Sequence, residues 1–175
     1  MVSLPDRESE LVAIGAAIGA GCQPCTQYHV GVALKAGLTK DEVSRAIDGA
    51  QVVRHEGGVA VSNVGRRMLA VEGEQVERLS ELNERGQALA YIGAAAGCNA
   101  GGLLTEYMAT AGERFGLSPE ELRSALETAE FVKQRAVDFL RRDIERALGQ
   151  TEEAVAVTGS ASGGGGTGGC CGPAS

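Results

Sequence analysis

The feature that most constrains the fold is an internal repeat with an offset of 79 residues, from Gly37 to Gly116. Segment 37–43, Gly-Leu-Thr-Lys-Asp-Glu-Val, matches segment 116–122, Gly-Leu-Ser-Pro-Glu-Glu-Leu. Each segment opens an apolar stripe at helical spacing, and the two stripes stay in register. Their positions are Val43, Ala46, Ile47, Ala50 and Val53 in the first copy, and Leu122, Ala125, Leu126, Ala129 and Val132 in the second. The shared pattern predicts a duplicated helical unit.

Both copies also carry a signal for a helix N-terminus. Thr39 and Glu42 have the spacing of a capping box, in which each side chain satisfies a backbone donor of the other, and Ser118 and Glu121 repeat it. Residues 3–149 show no alternating strand pattern. We therefore predict an all-α fold in which residues 1–150 form one helical domain, with repeats over about 3–71 and 82–149.

The core of this domain is expected to be built from small and aliphatic side chains. Apolar residues make up 43% of the chain but aromatic residues only 3%, so Ala, Leu, Val and Ile must fill the interior and helix backbones can approach closely. The sequence predicts a helix end near His55, before Gly57-Gly58. A further apolar stripe follows these glycines, at Val61, Val64, Met68 and Val71.

Residues 151–175 have a different composition. They are rich in Gly and Ser, cannot bury a core, and are predicted to form a disordered, flexible tail. The tail carries the adjacent cysteines Cys170 and Cys171, which can close only a strained disulfide. The pair favours binding of a soft metal or metalloid ion such as arsenite or mercuric ion, or thiol exchange with the core; an incidental tail is the remaining alternative.

Charge and hydropathy limit the partners and the compartment. The formal net charge of −7 argues against nucleic acid or an anionic membrane as a partner. No apolar run approaches the roughly 18–20 residues of a membrane span, and the N-terminus lacks a signal-peptide pattern. We expect a cytoplasmic protein, and in that reducing compartment its five cysteines point to catalysis or metal handling rather than to structural disulfides.

The segment from Cys22 to His29, Cys-Gln-Pro-Cys-Thr-Gln-Tyr-His, concentrates the candidate chemistry. Pro24 suits the first turn of a helix, which places both thiols near the positive end of the helix dipole and favours thiolates. His29 follows Cys25 by one turn and can exchange its proton. Cys22 is close enough to resolve a sulfenic acid into a disulfide.

Two other interpretations of these residues remain open at this stage. Cys22, Cys25 and His29 could be three zinc ligands, with Cys98 or His55 as the fourth. Alternatively, the cysteines could be an exposed pair without chemistry, in a unit that serves only for oligomerisation.

Glu10, eleven residues and then Cys22-x-x-Cys25-x-x-x-His29 resembles the motif of alkylhydroperoxidase D and its relatives in the carboxymuconolactone decarboxylase family. The resemblance covers about residues 3–149. It implies a peroxidase without a cofactor, in which Cys25 attacks, Cys22 resolves, and Glu10 and His29 relay protons. It also implies a hydroperoxide or disulfide substrate, a dithiol electron donor, and a homo-oligomer, trimer or hexamer.

The chain departs from the family pattern in informative ways. Some peroxidase members have a histidine between the cysteines, where this chain has Gln23-Pro24, so its proton relay is expected to be shorter. The second repeat places Gly101, Leu104 and Met108 opposite the cysteines and the histidine, so we expect one site per chain. Decarboxylase members lack the cysteine pair, so the resemblance favours redox chemistry here.

Three further residues have less specific predictions. Cys98 is expected to pack as a small buried side chain rather than to take part in redox chemistry. His55 is predicted either to cap its helix or to line a pocket. Arg54 could steer an anionic substrate or be a solvated residue near the helix C-terminus.

Overall fold

The computed structural model describes residues 3–75 and 82–149, and all secondary structure in these ranges is helical. The six helices are α1 (Asp6–Gly19), α2 (Gln23–Lys35), α3 (Lys40–Met68), α4 (Arg85–Gly97), α5 (Gly101–Phe115) and α6 (Pro119–Ala147). The predicted all-α fold is confirmed. The predicted disordered tail, with Cys170 and Cys171, lies outside the described residues.

Both predicted capping boxes are present. The Thr39 hydroxyl accepts a hydrogen bond from the Glu42 backbone at 3.2 Å, and the Glu42 carboxylate accepts one from the Thr39 backbone at 2.8 Å. Ser118 and Glu121 make the same pair of bonds at 3.2 and 2.8 Å. These caps open α3 and α6, which are both 29 residues long and begin 79 residues apart, so the offset of the sequence repeat is also the offset of the helices.

Helices α1 and α4 form the centre of the molecule and pack directly against each other. Residues 11–19 of α1 are buried without interruption, as is most of α4. A Cβ atom added at Gly15 would overlap the carbonyl oxygen of Ala90, and one at Gly93 would overlap that of Val12. The two backbones are thus in contact, as expected for a core with few aromatic residues.

The predicted helix end near His55 is wrong, because α3 continues through Gly57-Gly58 to Met68. Glycine lowers helix stability by only about 1 kcal/mol per residue, which a long helix packed on a core can tolerate. The apolar stripe beyond these glycines lies on the surface, with Val61 66% and Met68 83% exposed. The corresponding half of α6 also exposes apolar side chains, at Val137, Leu140, Ile144 and Leu148.

Candidate functional site

The turn between α1 and α2 places Cys22 at the N-terminus of a helix. Cys22 is the N-cap of α2, and its Sγ accepts a hydrogen bond from the backbone N–H of Cys25 at 3.2 Å. Pro24 lies in the first turn, as predicted, where a missing N–H costs no helical hydrogen bond. A thiolate at Cys22 would therefore face a backbone donor and the positive end of the helix dipole, two effects that stabilise it.

Cys22 and Cys25 form a disulfide, with their Cα atoms 5.3 Å apart. Cys25 is fully buried, whereas Cys22 is 7% exposed. The two sulfurs are thus joined but unequal in access, and Cys22 is the one that faces the surface.

His29 and Glu10 form a buried hydrogen-bonded pair next to the disulfide. The Nδ1 atom of His29 lies 2.9 Å from the Oε2 atom of Glu10, and the two side chains are only 7% and 17% exposed. When the imidazole is neutral, donation of its Nδ1–H to the carboxylate leaves Nε2 as the proton acceptor. Because His29 follows Cys25 by one turn of α2, the pair is arranged to exchange a proton with that thiol.

A cavity of about 1060 Å³, hereafter the large cavity, lies between the end of α1, α2 and the middle of α3. Its lining includes Cys22 but not Cys25. Arg54 and His55 also line it, which confirms the pocket alternative for His55. The rest of the lining is uncharged: Ala17, Ile18, Gly21, Gln23, Thr26, Gln27, Val30, Ile47, Gln51, Gly58, Val59 and Ser62.

A smaller cavity of about 440 Å³ reaches Cys22 from the opposite side. It lies between the α1–α2 turn and α6, and Pro24, Lys133 and Phe139 contribute to its wall. Cys25 does not line this cavity either. Small molecules can therefore meet the disulfide at Cys22 from two directions.

Arg54 is held at the end of α1 rather than being fully solvated. Its Nη1 donates to the carbonyl oxygen of Ile18 at 3.2 Å, and this oxygen also accepts the backbone N–H of Gly21 at 3.0 Å. Gly21, in the left-handed region with φ of +70°, leaves room for the guanidinium, since a Cβ atom there would lie 2.9 Å from Nη2. The guanidinium is therefore next to the residue that precedes Cys22.

Cys98 lies at the end of α4 and lines neither cavity. It is partly buried, and its thiol donates to the Ala95 carbonyl oxygen at 3.7 Å. Burial raises the pKa of the Cys98 thiol, which keeps it protonated and unreactive at neutral pH. Its environment fits the packing role predicted from the sequence.

The zinc interpretation does not fit the structure, because the two cysteine ligands that it needs are joined to each other. Within residues 3–75 and 82–149 there is no group of three or more His, Cys, Asp or Glu side chains that could hold a metal ion. Soft-ion binding by Cys170 and Cys171 stays a prediction, since both lie outside this part of the chain. No helix in the described ranges is long and apolar enough to cross a membrane.

Glu56, which is only 7% exposed, is a buried carboxylate that the sequence patterns did not predict. The Tyr107 hydroxyl donates to its Oε2 at 3.3 Å. Burial raises the pKa of the neighbouring Tyr91, and the Glu56 charge raises it further. The signal was available, because Glu56 lies three residues after Val53 on the stripe assigned to the core.

Residues 2–57 match the family model described as the carboxymuconolactone decarboxylase family. Comparisons with curated proteins and with solved structures give no match. The matched segment contains the disulfide, the His29–Glu10 pair and most of the lining of the large cavity. The resemblance found in the sequence is thus confirmed for this segment: residues 2–57, in the first helical unit, are similar to the carboxymuconolactone decarboxylase family, which includes alkylhydroperoxidase D-like proteins.

Proposed function

We propose that this protein is a thiol-dependent peroxidase that cycles Cys22 and Cys25 between dithiol and disulfide. One observation carries the proposal: a disulfide at the N-terminus of α2, with His29 one turn further along this helix and hydrogen-bonded to the Glu10 carboxylate of α1. The disulfide supplies the two-electron couple, and His29 with Glu10 supplies the proton exchange that both directions of the couple need.

In the oxidative half-reaction, His29 accepts the proton of the Cys25 thiol and the thiolate attacks the terminal oxygen of a hydroperoxide. The O–O bond breaks, the alcohol leaves with the proton from His29, and Cys25 becomes a sulfenic acid. The Cys22 thiol then attacks this sulfur, and water leaves as the disulfide forms. The sum is one hydroperoxide and two thiols converted to one alcohol, one water and one disulfide.

In the reductive half-reaction, the roles of the two sulfurs differ because their access differs. A dithiol donor attacks Cys22, the sulfur that lines both cavities, and Cys25 leaves as a thiolate that His29 protonates. The second thiol of the donor then resolves the mixed disulfide and restores the Cys22 thiol. The same route would allow a small disulfide to be the oxidising substrate instead of a hydroperoxide.

The burial of Cys25 places a requirement on the oxidative step. Cys25 is fully buried while it is bonded to Cys22. In the proposed cycle, reduction frees the Cys22 side chain to rotate, and this motion opens a path from the large cavity to the Cys25 sulfur. Trapping the sulfenic acid with dimedone tests this order: Cys22→Ser should be labelled at Cys25, and labelling of Cys25→Ser alone would reverse the assignment.

The proposed function is tested by peptide mapping after the reduced protein is mixed with one equivalent of an organic hydroperoxide. We expect rapid formation of the Cys22–Cys25 disulfide, while Cys98 stays a free thiol because it is partly buried and protonated; alkylation after unfolding detects it. Thiols that remain free in excess peroxide would contradict the proposal.

The proposed attack of the dithiol donor on Cys22 has a separate test. In the oxidised, unmodified protein, a dithiol donor with one thiol removed should attack the disulfide, form a mixed disulfide with Cys22 and release Cys25 as a thiol. Peptide mapping of the trapped product should find the donor on Cys22, because Cys25 is buried, and a donor found on Cys25 would contradict the assignment.

We also propose that the chain forms a homo-oligomer, trimer or hexamer, of the kind that the family resemblance implies. Apolar side chains are exposed at equivalent places of the two units, for example Val61 on α3 and Leu140 on α6. Burial of such side chains against a second copy would remove them from water. Val61→Lys and Leu140→Lys should lower the mass measured by light scattering, and a monomeric unmodified protein would contradict this proposal.

A further inference from the structure

We propose that the large cavity selects an amphipathic organic hydroperoxide that carries a carboxylate, and that Arg54 binds this carboxylate. The inference rests on the proposed peroxidase function and adds the substrate class. It follows from the size, the charge and the apolar wall of the cavity, together with the position of Arg54 beside Cys22.

The charge of the large cavity is opposite to that of the chain. The protein has a formal net charge of −7, yet none of the described residues that line this cavity is Asp or Glu. Its titratable lining residues, the disulfide cysteine aside, are Arg54 and His55. A basic cavity in an acidic protein favours an anion over a neutral molecule of the same shape.

The geometry of Arg54 makes its guanidinium a directed hydrogen-bond donor for an anion. The Ile18 carbonyl oxygen takes one N–H of the guanidinium, which holds the group at the end of α1. A guanidinium has five N–H donors, and its planar edge matches a carboxylate. Nη2 lies close to Gly21, the residue that precedes Cys22, and Arg54 and Cys22 line the same cavity, so a bound carboxylate would hold the rest of the molecule near the disulfide.

The size and the wall of the cavity indicate an organic body. About 1060 Å³ is at the upper end of the range for small-molecule sites and far exceeds what hydrogen peroxide needs. Val30, Ile47 and Val59 give it an apolar side, which suits a hydrocarbon chain. The reaction leaves the carboxylate unchanged: the hydroperoxide becomes a hydroxyl group, water is released, and the two thiols become a disulfide.

The test compares a fatty acid hydroperoxide with its methyl ester, which differ in charge but hardly in shape. Both are kept below the concentration at which they form micelles. We expect kcat/KM for the acid to exceed that for the ester by about fivefold at low salt, as for an exposed ion pair, and the ratio to fall as salt is added. Equal values for the acid and the ester in the unmodified protein would overturn the inference.

Variants then assign the preference to one side chain. Arg54→Gln should bring the acid-to-ester ratio close to one. The matched control is Arg123→Gln, because Arg123 is an exposed cation on α6 that lines neither of the two cavities. The control should keep the full ratio, and a ratio that Arg54→Gln leaves unchanged would contradict the role of Arg54.

A binding measurement separates this inference from the proposed function. If neither hydroperoxide is reduced, the peroxidase proposal fails, but the anion site can still be tested with the unreactive hydroxy fatty acid and its methyl ester in calorimetry. Tighter binding of the acid that is lost in Arg54→Gln would support the site. Equal binding of acid and ester would overturn it.

Discussion

The two helical units share their helices and capping boxes, and they differ in the cysteine and polar side chains that they carry. α3 and α6 have the same length and the same capping box, and Arg54 and Lys133 each bind a carbonyl oxygen at the end of the preceding central helix. The Cys22–Cys25 disulfide and the His29–Glu10 pair belong to the first unit alone. The helical framework of the second unit therefore forms without the disulfide and without the histidine–carboxylate pair.

The second unit shows what replaced the site. The position 79 residues after Glu10 is Leu89, which is fully buried, and those after Cys25 and His29 are Leu104 and Met108, which pack against the core. The second unit has apolar side chains where the first has the hydrogen-bonded His29–Glu10 pair, and apolar residues in place of a buried polar pair are often neutral or favourable for stability. The difference shows that a helical unit of this fold can form without polar side chains at these positions.

The largest expected effect comes from removing a sulfur of the first unit. Cys22→Ser and Cys25→Ser should each lower peroxide turnover by at least about 10³-fold, because the disulfide cycle needs both atoms. Cys98→Ser, in the second unit, is the matched control and should change the rate by less than about twofold. Turnover is measured by loss of an organic hydroperoxide with a dithiol donor, and a comparable loss in Cys98→Ser would break the comparison between the units.

A smaller effect is expected when His29 of the proposed proton relay is replaced by Met, the residue at the corresponding position of the second unit. His29→Met should lower the rate of peroxide reduction by about 10²-fold, the lower range for a positioned acid–base group. Glu10→Gln keeps a hydrogen-bond partner but removes the charge, and we expect a loss of about tenfold. Alkylation of Cys25 in the reduced protein across pH gives a second readout, and rates unchanged in His29→Met would show that His29 is not the base.

Much of the structure that the two units share could be predicted from the sequence. The repeat offset and both capping boxes follow from local chemistry, in which the Thr or Ser hydroxyl has a specific backbone role. The Glu10–His29 contact came from the family resemblance, since nothing local brings residues 19 positions apart together. Local patterns predict helix starts well because the cap is formed by neighbours in sequence.

What the sequence could not predict depends on tertiary contacts. The large cavity is formed by side chains from three helices, such as Ile18, Gln27 and Arg54, and its volume depends on how those helices pack. The continuity of α3 through Gly57-Gly58 was missed because glycine signals a break only when packing does not support the helix. The exposure of Val61 has the same origin, since periodicity identifies an apolar face but not what covers it.

The contact between the two units gives a third prediction, on stability. Gly15→Ala in α1 and Gly93→Ala in α4 each place a Cβ atom against a backbone carbonyl oxygen of the other helix, which cannot move like a side chain. Each should lower the free energy of unfolding by about 1–3 kcal/mol, measured in urea. Gly31→Ala is the matched control, because no neighbouring atom lies within 4 Å of its added Cβ. It should stabilise α2 by about 0.5–1 kcal/mol, and a loss in the control equal to that of Gly15→Ala would contradict the steric explanation.

The smallest expected effect comes from removing the charge of the glutamate in each of the two capping boxes. The backbone N–H of Thr39 lowers the pKa of Glu42, and the backbone N–H of Ser118 lowers that of Glu121, which also pairs with Arg85 at 2.6 Å. A carboxyl group whose pKa is lower in the folded state stabilises the fold above its ordinary pKa of 4.5, and the contribution is lost as pH falls through the folded value.

Glu42→Gln and Glu121→Gln keep a hydrogen-bond acceptor and remove the charge, so each should destabilise the protein at pH 7 by less than about 1 kcal/mol. The cost should be larger for Glu121, whose side chain is 18% exposed against 32% for Glu42 and which shares Arg85 with Glu8. Urea unfolding at pH 7 and near pH 4 measures this. Both differences from the unmodified protein should shrink at the lower pH, where the carboxylates gain protons. A difference that does not depend on pH would mean that the shape of the cap, and not its charge, stabilises these two helices.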